Sequence, residues 1–170
     1  MMSSDQVLTV LGELEAAGVN AWLDGGWGID ALLGRQTRQH DDVDLVVRAD
    51  AIPACRRVLE AGGFLVERDW LPTTLAFRHP DRRGIDLHPV EPAGDGGGDQ
   101  VQLDGVTRWH YPPPTTGSID GLPVRCCTVE CQVASHLGYE PDEQDRRDMA
   151  ELAAHFKIRL PAPYTSGWRG

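Results

Sequence analysis

The sequence lacks any apolar run near the roughly 20 residues that a membrane-spanning helix needs. Its first residues, MMSSDQ, also lack the basic and apolar regions of a signal peptide. These two absences predict a soluble, cytoplasmic protein with no membrane partner.

Cysteine is scarce, and its placement argues against the common cysteine-based sites. The four cysteines fit no zinc-ligand spacing, and two of them are adjacent, which is awkward for one tetrahedral ion. We therefore predict buried, reduced thiols, with no assigned function, at Cys55, Cys126, Cys127 and Cys131.

Positive charge is the third deficit. The 170 residues contain 16 Lys and Arg against 26 Asp and Glu, which gives a formal net charge of −10. A nucleic-acid partner is disfavoured, because basic side chains that neutralise phosphates supply most of that affinity. The charge suits a small cationic substrate in an acidic cleft, and equally an ordinary solvated surface. The length predicts one domain over residues 1–170, with a core over about 1–127 and a helical C-terminal region over about 128–160.

The most informative stretch of the chain runs from Trp22 to Val47. An apolar, strand-like run ends at Gly25-Gly26, a short helix-like segment follows, and a second apolar run is headed by three aspartates. Strand alternation puts Asp42 and Asp44 on one face, roughly 6–7 Å apart. Two like charges about 6 Å apart repel by roughly 3 kcal/mol at an effective dielectric constant of about 20, so a positive partner is expected there.

Two interpretations of these aspartates are open at this point. Mg²⁺ binds proteins through one or two carboxylates and takes its other ligands from water and phosphates. A solvated acidic edge is the alternative, because D-x-D alone is a motif with many false positives. The strand predicted over Ile85–Val90 repeats the alternation, with Asp86 and His88 on one face. If it pairs beside the Asp42–Asp44 strand, Asp86 becomes the third carboxylate that two-metal catalysis needs.

The segment WLDGGWGIDALLGRQTRQHDDVD resembles the lincosamide nucleotidyltransferases and, more loosely, the aminoglycoside 2″-adenylyltransferases. A strand ending in Gly-Gly, a helix and a strand with Asp-hydrophobic-Asp are similar to the nucleotidyltransferase core of the DNA polymerase β superfamily. GIDLHP and ECQVASHLGYEPDEQDRRD extend the resemblance from Trp22 to about Leu152. It implies an α/β (α+β) fold: a polymerase-β-like core with a mixed sheet flanked by helices, and a small helical C-terminal region.

The resemblance also implies an activity. A Mg²⁺-dependent adenylyltransferase would transfer AMP from ATP, or another nucleoside monophosphate, to a hydroxyl of a lincosamide-like or aminoglycoside-like antibiotic, with release of pyrophosphate. Asp42, Asp44 and Asp86 would hold two Mg²⁺ ions, and Asp86 would also take the proton of the hydroxyl. Gly25 and Gly26 would hold the phosphates at the helix N-terminus.

The other candidate residues have a structural alternative. Arg38, in the T-R-x-H-x-D segment, is predicted as a triphosphate ligand ahead of Arg35, although both arginines would also balance local acids. For the acceptor antibiotic, the candidates are Trp70, His88, Glu91, Glu130, His136 and Tyr139. Those in the C-terminal region would equally hold helix to helix. The alternative function is a non-catalytic or protein-modifying protein of this fold, such as an antitoxin, and a homodimer is compatible with the sequence.

Periodicity and capping predict the flanking elements. Helices are predicted over 3–17, over 51–61 with Asp50 as its cap, over 129–137 and over 141–156. The last of these would bury Met149, Leu152, Ala153 and Phe156. Further strands are predicted over 64–68, 74–79, 100–103 and 122–126, with an irregular, proline-containing segment over 111–117.

Overall fold

The computed structural model describes residues 1–165, and most of its elements follow the periodicity of the sequence. In chain order they are α1 (Ser4–Ala16), β1 (Trp22–Asp24), α2 (Gly25–Leu33), β2 (Asp42–Arg48), α3 (Ile52–Ala61), β3 (Leu65–Trp70), β4 (Thr74–Arg78), β5 (Gly84–Pro92), β6 (Gly98–Val101), β7 (Arg108–Tyr111), β8 (Thr115–Ile119), β9 (Leu122–Cys126), α4 (Val129–Ser135) and α5 (Glu143–Phe156). A short 3-10 turn, Ala49–Ala51, leads from β2 into α3.

Within residues 1–165 the strands form one nine-stranded mixed sheet. Seven strands follow the order β3-β4-β5-β2-β1-β9-β8, and the β6–β7 hairpin pairs with the end of β5. β2 pairs with β5, and β1 with β9, in parallel, whereas the other pairs are antiparallel. The predicted mixed sheet with flanking helices is therefore confirmed.

Alternating apolar residues fix β2 and β5 on the core. Val43, Leu45, Ile85 and Leu87 are at most 1% exposed and join apolar residues of α1 and α3 in the main hydrophobic core. Full burial of one such side chain stabilises the fold by roughly 1.5–3 kcal/mol. Because side chains alternate along a strand, this burial directs the intervening residues to the opposite face of the sheet.

Two boundary predictions are wrong for local electrostatic reasons. Asp50 does not cap α3, because Arg48 at the end of β2 binds its carboxylate, with Arg48 Nε 3.0 Å from Oδ1. Pro141 does not lie in the first turn of α5, because Asp142 forms a capping box with Asp145 and the helix begins after it.

Two further predictions fail because they depend on the tertiary packing. The segment 111–117 is not irregular throughout, because its three prolines form only the corner between β7 and β8. On α5, Met149 and Leu152 are buried as predicted, but Ala153 is only partly buried and Phe156 is 37% exposed at the helix end.

The cysteines are buried free thiols, as predicted. Cys55, Cys126, Cys127 and Cys131 are at most 3% exposed. Burial raises the pKa of Cys55 and of Cys126 to about 11, so both thiols stay protonated and poorly nucleophilic at neutral pH. Across residues 1–165, no helix is long and apolar enough to cross a bilayer.

Candidate active site

A row of three aspartates crosses the sheet on the face opposite the main core. Asp24 of β1 lies opposite Asp44 of β2, and Asp44 lies opposite Asp86 of β5. Registered neighbours on adjacent strands point to the same face, with Cβ atoms roughly 4.5–5.5 Å apart. Asp42 lies two residues before Asp44 on the same strand and opposite Gly84. The pairing that would make Asp86 a neighbour of the Asp42–Asp44 strand is therefore present.

Asp42, Asp44 and Asp86 each have a different basic neighbour. Arg68 Nη2 is 3.6 Å from Asp86 Oδ2, and His88 Nε2 is 3.1 Å from Asp44 Oδ1. Arg78 exerts a favourable electrostatic effect on Asp42. Arg68 and Arg78 supply positive charge of the kind that the sequence led us to expect.

The basic neighbours do not fully compensate the carboxylates. Burial, followed by the charge of Asp44, raises the pKa of Asp42 above its ordinary value. The same two causes, in the same order, raise the pKa of Asp86. The folded protein thus retains excess negative charge here, which favours binding of a divalent cation.

The donor set fits Mg²⁺ that is shared with a phosphate ligand. Among residues 1–165, no group of three or more His, Cys, Asp or Glu side chains is arranged to hold an ion by itself. Mg²⁺ does not need such a cage, because it binds through one or two carboxylates and completes its coordination with water and phosphate oxygens. Asp42, Asp44 and Asp86 offer only oxygen ligands, the type that Mg²⁺ prefers.

The two glycines lie against the acidic row. Gly25 has φ of +55°, and a Cβ at this position would overlap the Asp44 carboxylate. A Cβ at Gly26 would overlap the His40 ring and the Arg38 guanidinium. Both positions therefore require glycine, because any side chain would overlap these neighbouring groups. Helix α2 begins at Gly25. A helix N-terminus beside a metal-type carboxylate cluster is suited to hold phosphates.

Arg38 lies next to Gly26, but it is also anchored from the C-terminal region. Its Nε and Nη2 donate to the Asp148 carboxylate of α5 at 2.9–3.2 Å, and the two side chains are 17% and 4% exposed. Arg35, by contrast, pairs with Glu151 at the surface. The structure thus brings Arg38, and not Arg35, to the glycine turn.

A buried network that the sequence analysis missed fixes the loop between α2 and β2. Asp30 Oδ1 accepts from Thr37 N at 3.0 Å and also from the Thr37 hydroxyl, while Asp30 Oδ2 pairs with His40 Nε2. Asp30 and His40 are at most 3% exposed, and Trp27 packs on the His40 ring at a centroid distance of 4.9 Å. The T-R-x-H-x-D segment was the available signal, because its threonine and histidine are the two residues that bind Asp30.

The acceptor candidates are dispersed, and only His88 borders a cavity next to the acidic row. This cavity of about 430 Å³ lies between the ends of β5, β6, β7 and α4.

The other acceptor candidates lie away from this cavity. Trp70 is 52% exposed beneath the Arg68 guanidinium, and Glu91 and Glu130 are exposed. His136 is held by Gln132 O and lies 3.8 Å from Asp145, while Tyr139 is 48% exposed; neither borders the cavity.

Three more residues near the site were not anticipated. Trp109 and Tyr111 of β7 line the cavity, and the alternation in Arg-Trp-His-Tyr was the signal for their common face. Asp24 is 6% exposed, and within residues 1–165 its Oδ1 has no hydrogen-bond partner. Its position before Gly25 gave no indication that it continues the acidic row.

The chain is similar to known proteins over most of its length. The model of the aminoglycoside-2″-adenylyltransferase family matches residues 6–152. The chain belongs to this family. A lincosamide resistance protein of Staphylococcus haemolyticus is 30% identical over 154 residues, which cover 89% of this chain and 94% of that protein. A 2″-aminoglycoside nucleotidyltransferase of Escherichia coli is 29% identical over 131 residues, which cover 76% of this chain and 70% of that protein.

The fold is also that of a solved family-related enzyme. The lincomycin-bound crystal structure of the lincosamide antibiotic adenylyltransferase LnuA matches with a TM-score of 0.80 and 27% identity, covering 90% of this chain and 98% of that one. The predicted relationship to the lincosamide and aminoglycoside nucleotidyltransferases is confirmed. The roles of the individual residues stay predictions.

Replacing Asp42 with Asn tests the charge balance among Asp42, Asp44 and Asp86. At neutral pH, Asp42→Asn removes a carboxylate whose folded-state pKa is raised, so it should raise the melting temperature of the metal-free protein. Each 1 kcal/mol gained corresponds to roughly 2–4 °C for a chain of this size. The stabilisation should fade as the pH falls through the folded-state pKa, because the wild-type carboxyl is then neutral as well.

Calorimetric melting with and without Mg²⁺·ATP completes this test. The wild-type melting temperature should rise with the ligand, whereas that of Asp42→Asn should rise less. A variant that melts lower than the wild type without metal would contradict the proposed excess of negative charge.

Asp148→Asn tests how α5 positions Arg38. Breaking one side of a buried ion pair costs about 3–5 kcal/mol, so the variant should melt several degrees lower. If Arg38 contacts the triphosphate, the same change should also weaken ATP binding measured by titration calorimetry. Glu151→Gln, which breaks only the surface pair with Arg35, is the matched control and should change neither quantity appreciably. Unaltered ATP affinity in folded Asp148→Asn would separate α5 from the nucleotide site.

Proposed function

We propose that this chain is a single-domain antibiotic O-nucleotidyltransferase that uses ATP. It transfers AMP to a hydroxyl of a lincosamide-like or aminoglycoside-like antibiotic and releases pyrophosphate. The observation that carries the proposal is the register of Asp44 with Asp86 on the parallel β2–β5 pair, directly beneath Gly25. Family membership supports the reaction class, and the names of the relatives support an antibiotic acceptor.

The phosphates of the nucleotide are held by the glycine turn. Gly25 and Gly26 let the triphosphate approach the backbone at the start of α2, and Arg38 contributes a positive charge beside Gly26. The buried Asp30–His40 network keeps the intervening loop in position. This arrangement orients the α-phosphate toward the acidic row, and such positioning supplies much of the rate.

Asp42, Asp44 and Asp86 would hold the Mg²⁺ ions, which would supply charge neutralisation at the triphosphate and activation of the acceptor hydroxyl. Asp86 takes the proton of that hydroxyl as its oxygen bonds to the α-phosphorus. The bond between the α-phosphorus and the bridging oxygen breaks, and pyrophosphate leaves with the bonding electrons. Arg68 Nη2, 3.6 Å from Asp86 Oδ2, favours the ionised carboxylate that accepts this proton, and so partly offsets the raised pKa of Asp86.

Pyrophosphate release tests the activity directly. Purified protein with Mg²⁺ and ATP should release pyrophosphate when a lincosamide or an aminoglycoside is added, and mass spectrometry should detect the adenylylated antibiotic. Parallel reactions with GTP, CTP and UTP identify the preferred nucleotide. Transfer of AMP from labelled ATP to a protein, without turnover of any antibiotic, would instead favour the protein-modifying alternative.

Asp86→Asn tests the assignment of the base. We expect kcat to fall on the order of 10²–10⁴-fold, the usual worth of positioned proton transfer, with a smaller loss of Mg²⁺·ATP affinity. Glu91→Gln is the control, because Glu91 is the next acid on β5 and is exposed at its end. If Glu91→Gln lost activity while Asp86→Asn retained it, the base would be Glu91.

A further inference from the structure

The cavity beside His88 adjoins the acidic row. His88 lines the cavity while its Nε2 lies 3.1 Å from Asp44 Oδ1. Gln100 Nε2 lies 3.3 Å from His88 Nδ1; because an amide nitrogen only donates, Nδ1 accepts and Nε2 donates to Asp44. The cavity volume of about 430 Å³ is within the usual range for small-molecule sites. A ligand there would lie next to the proposed reaction centre.

Among residues 1–165, no carboxylate lines this cavity. Its polar groups are uncharged amides and hydroxyls, such as those of Gln102 and Thr107, and its apolar floor is formed by Trp109 and Tyr111. Arg108 also borders the cavity, but it alternates with Trp109 along β7, and its Nη1 donates to the carbonyl oxygen of Val106 at 2.9 Å. The acidic side chains that give the chain its strongly negative net charge therefore lie outside the lining of this cavity.

The acids closest in the chain are already engaged elsewhere. Asp95 and Asp99 pair with the two ring nitrogens of His110, which alternates with Trp109 and Tyr111 on β7 and so points to the other side of the hairpin. Asp104 accepts three hydrogen bonds, from Val106 N, Thr107 N and the Thr107 hydroxyl.

This wall discriminates acceptors by charge. An ammonium group placed against it would lose its hydration without gaining an ion pair. Hydroxyl groups, by contrast, find amide and hydroxyl partners, and an apolar group can pack on Trp109. The favourable place for one positive charge is the inner end of the cavity, where His88 and Tyr111 separate it from Asp44 and Asp24.

We infer that the acceptor carries at most one positive charge. It presents hydroxyl groups to the amide-lined wall of the cavity and an apolar portion to Trp109. This inference rests on the proposed function and narrows its acceptor to the class of lincosamides, which have one amine, against aminoglycosides, which have several.

The test compares kcat/KM for a lincosamide and for an aminoglycoside, with ATP and Mg²⁺ held constant. The wild type should prefer the lincosamide by at least about 10-fold, the effect of about 1.4 kcal/mol of discrimination. Gln102→Glu, which puts one carboxylate into the wall, should lower this preference by about 10-fold.

Gln6→Glu on the exposed start of α1 is the matched control. It makes the same chemical change and the same change in net charge far from the cavity, and glutamate preserves the capping box with Ser3. It should leave the preference unchanged. Melting curves of the variants check that the β6–β7 hairpin remains folded, because Gln102 Nε2 also donates to Gln100 Oε1 at 3.1 Å.

The possible outcomes distinguish failure of the charge inference from failure of the proposed function. Equal or better turnover of the aminoglycoside by the wild type would overturn the charge inference and leave the proposed function standing. An equal shift in Gln102→Glu and Gln6→Glu would overturn it as well, because the overall field would then set the preference. No turnover of either class would contradict the proposed function and this inference with it.

Discussion

The register of three neighbouring strands is the constraint on which the site depends. β1, β2 and β5 align Asp24, Asp44 and Asp86 in one row because the residues between them are packed into the core on the other face. A slip of one residue would turn every carboxylate of a strand into the core and every apolar residue out. The hydrophobic burial that stabilises the sheet is therefore also what assembles the acidic row, and no separate device is needed to bring the acids together.

That assembly is electrostatically unfavourable without a ligand, and the surroundings moderate it without cancelling it. Arg68 and His88 contact Asp86 and Asp44, yet burial and mutual repulsion still raise the pKa of Asp42 and of Asp86. Complete neutralisation by fixed arginines would leave no driving force for a metal ion. Partial compensation lets the protein fold with the acids in place and, under the proposed function, leaves a driving force for binding the metal–nucleotide complex.

The local parts of this site were predictable, and the long-range parts were not. Alternation along each strand was enough to place Asp42 with Asp44, and Asp86 with His88, on one face, and Gly-Gly before a helix indicated a close approach of the backbone. Asp24 was missed because its role appears only when β1 is known to pair with β2. The cavity was missed for the same reason, since Trp109 and Tyr111 reach His88 through a hairpin whose pairing with the end of β5 has no local signature.

The ion pair between Arg38 and Asp148 gives the C-terminal region a second task. From the sequence, the polar residues of this region were candidates either for the acceptor side of the cleft or for contacts between helices. In the structure, α5 holds Arg38 against Gly26 through a contact spanning 110 positions in the chain. An unanchored arginine would lose more side-chain entropy when it binds a phosphate, whereas Asp148 has already fixed this one in the folded protein. If the proposed function holds, the helical region preorganises the nucleotide side of the site through α5, while α4 borders the cavity proposed for the acceptor.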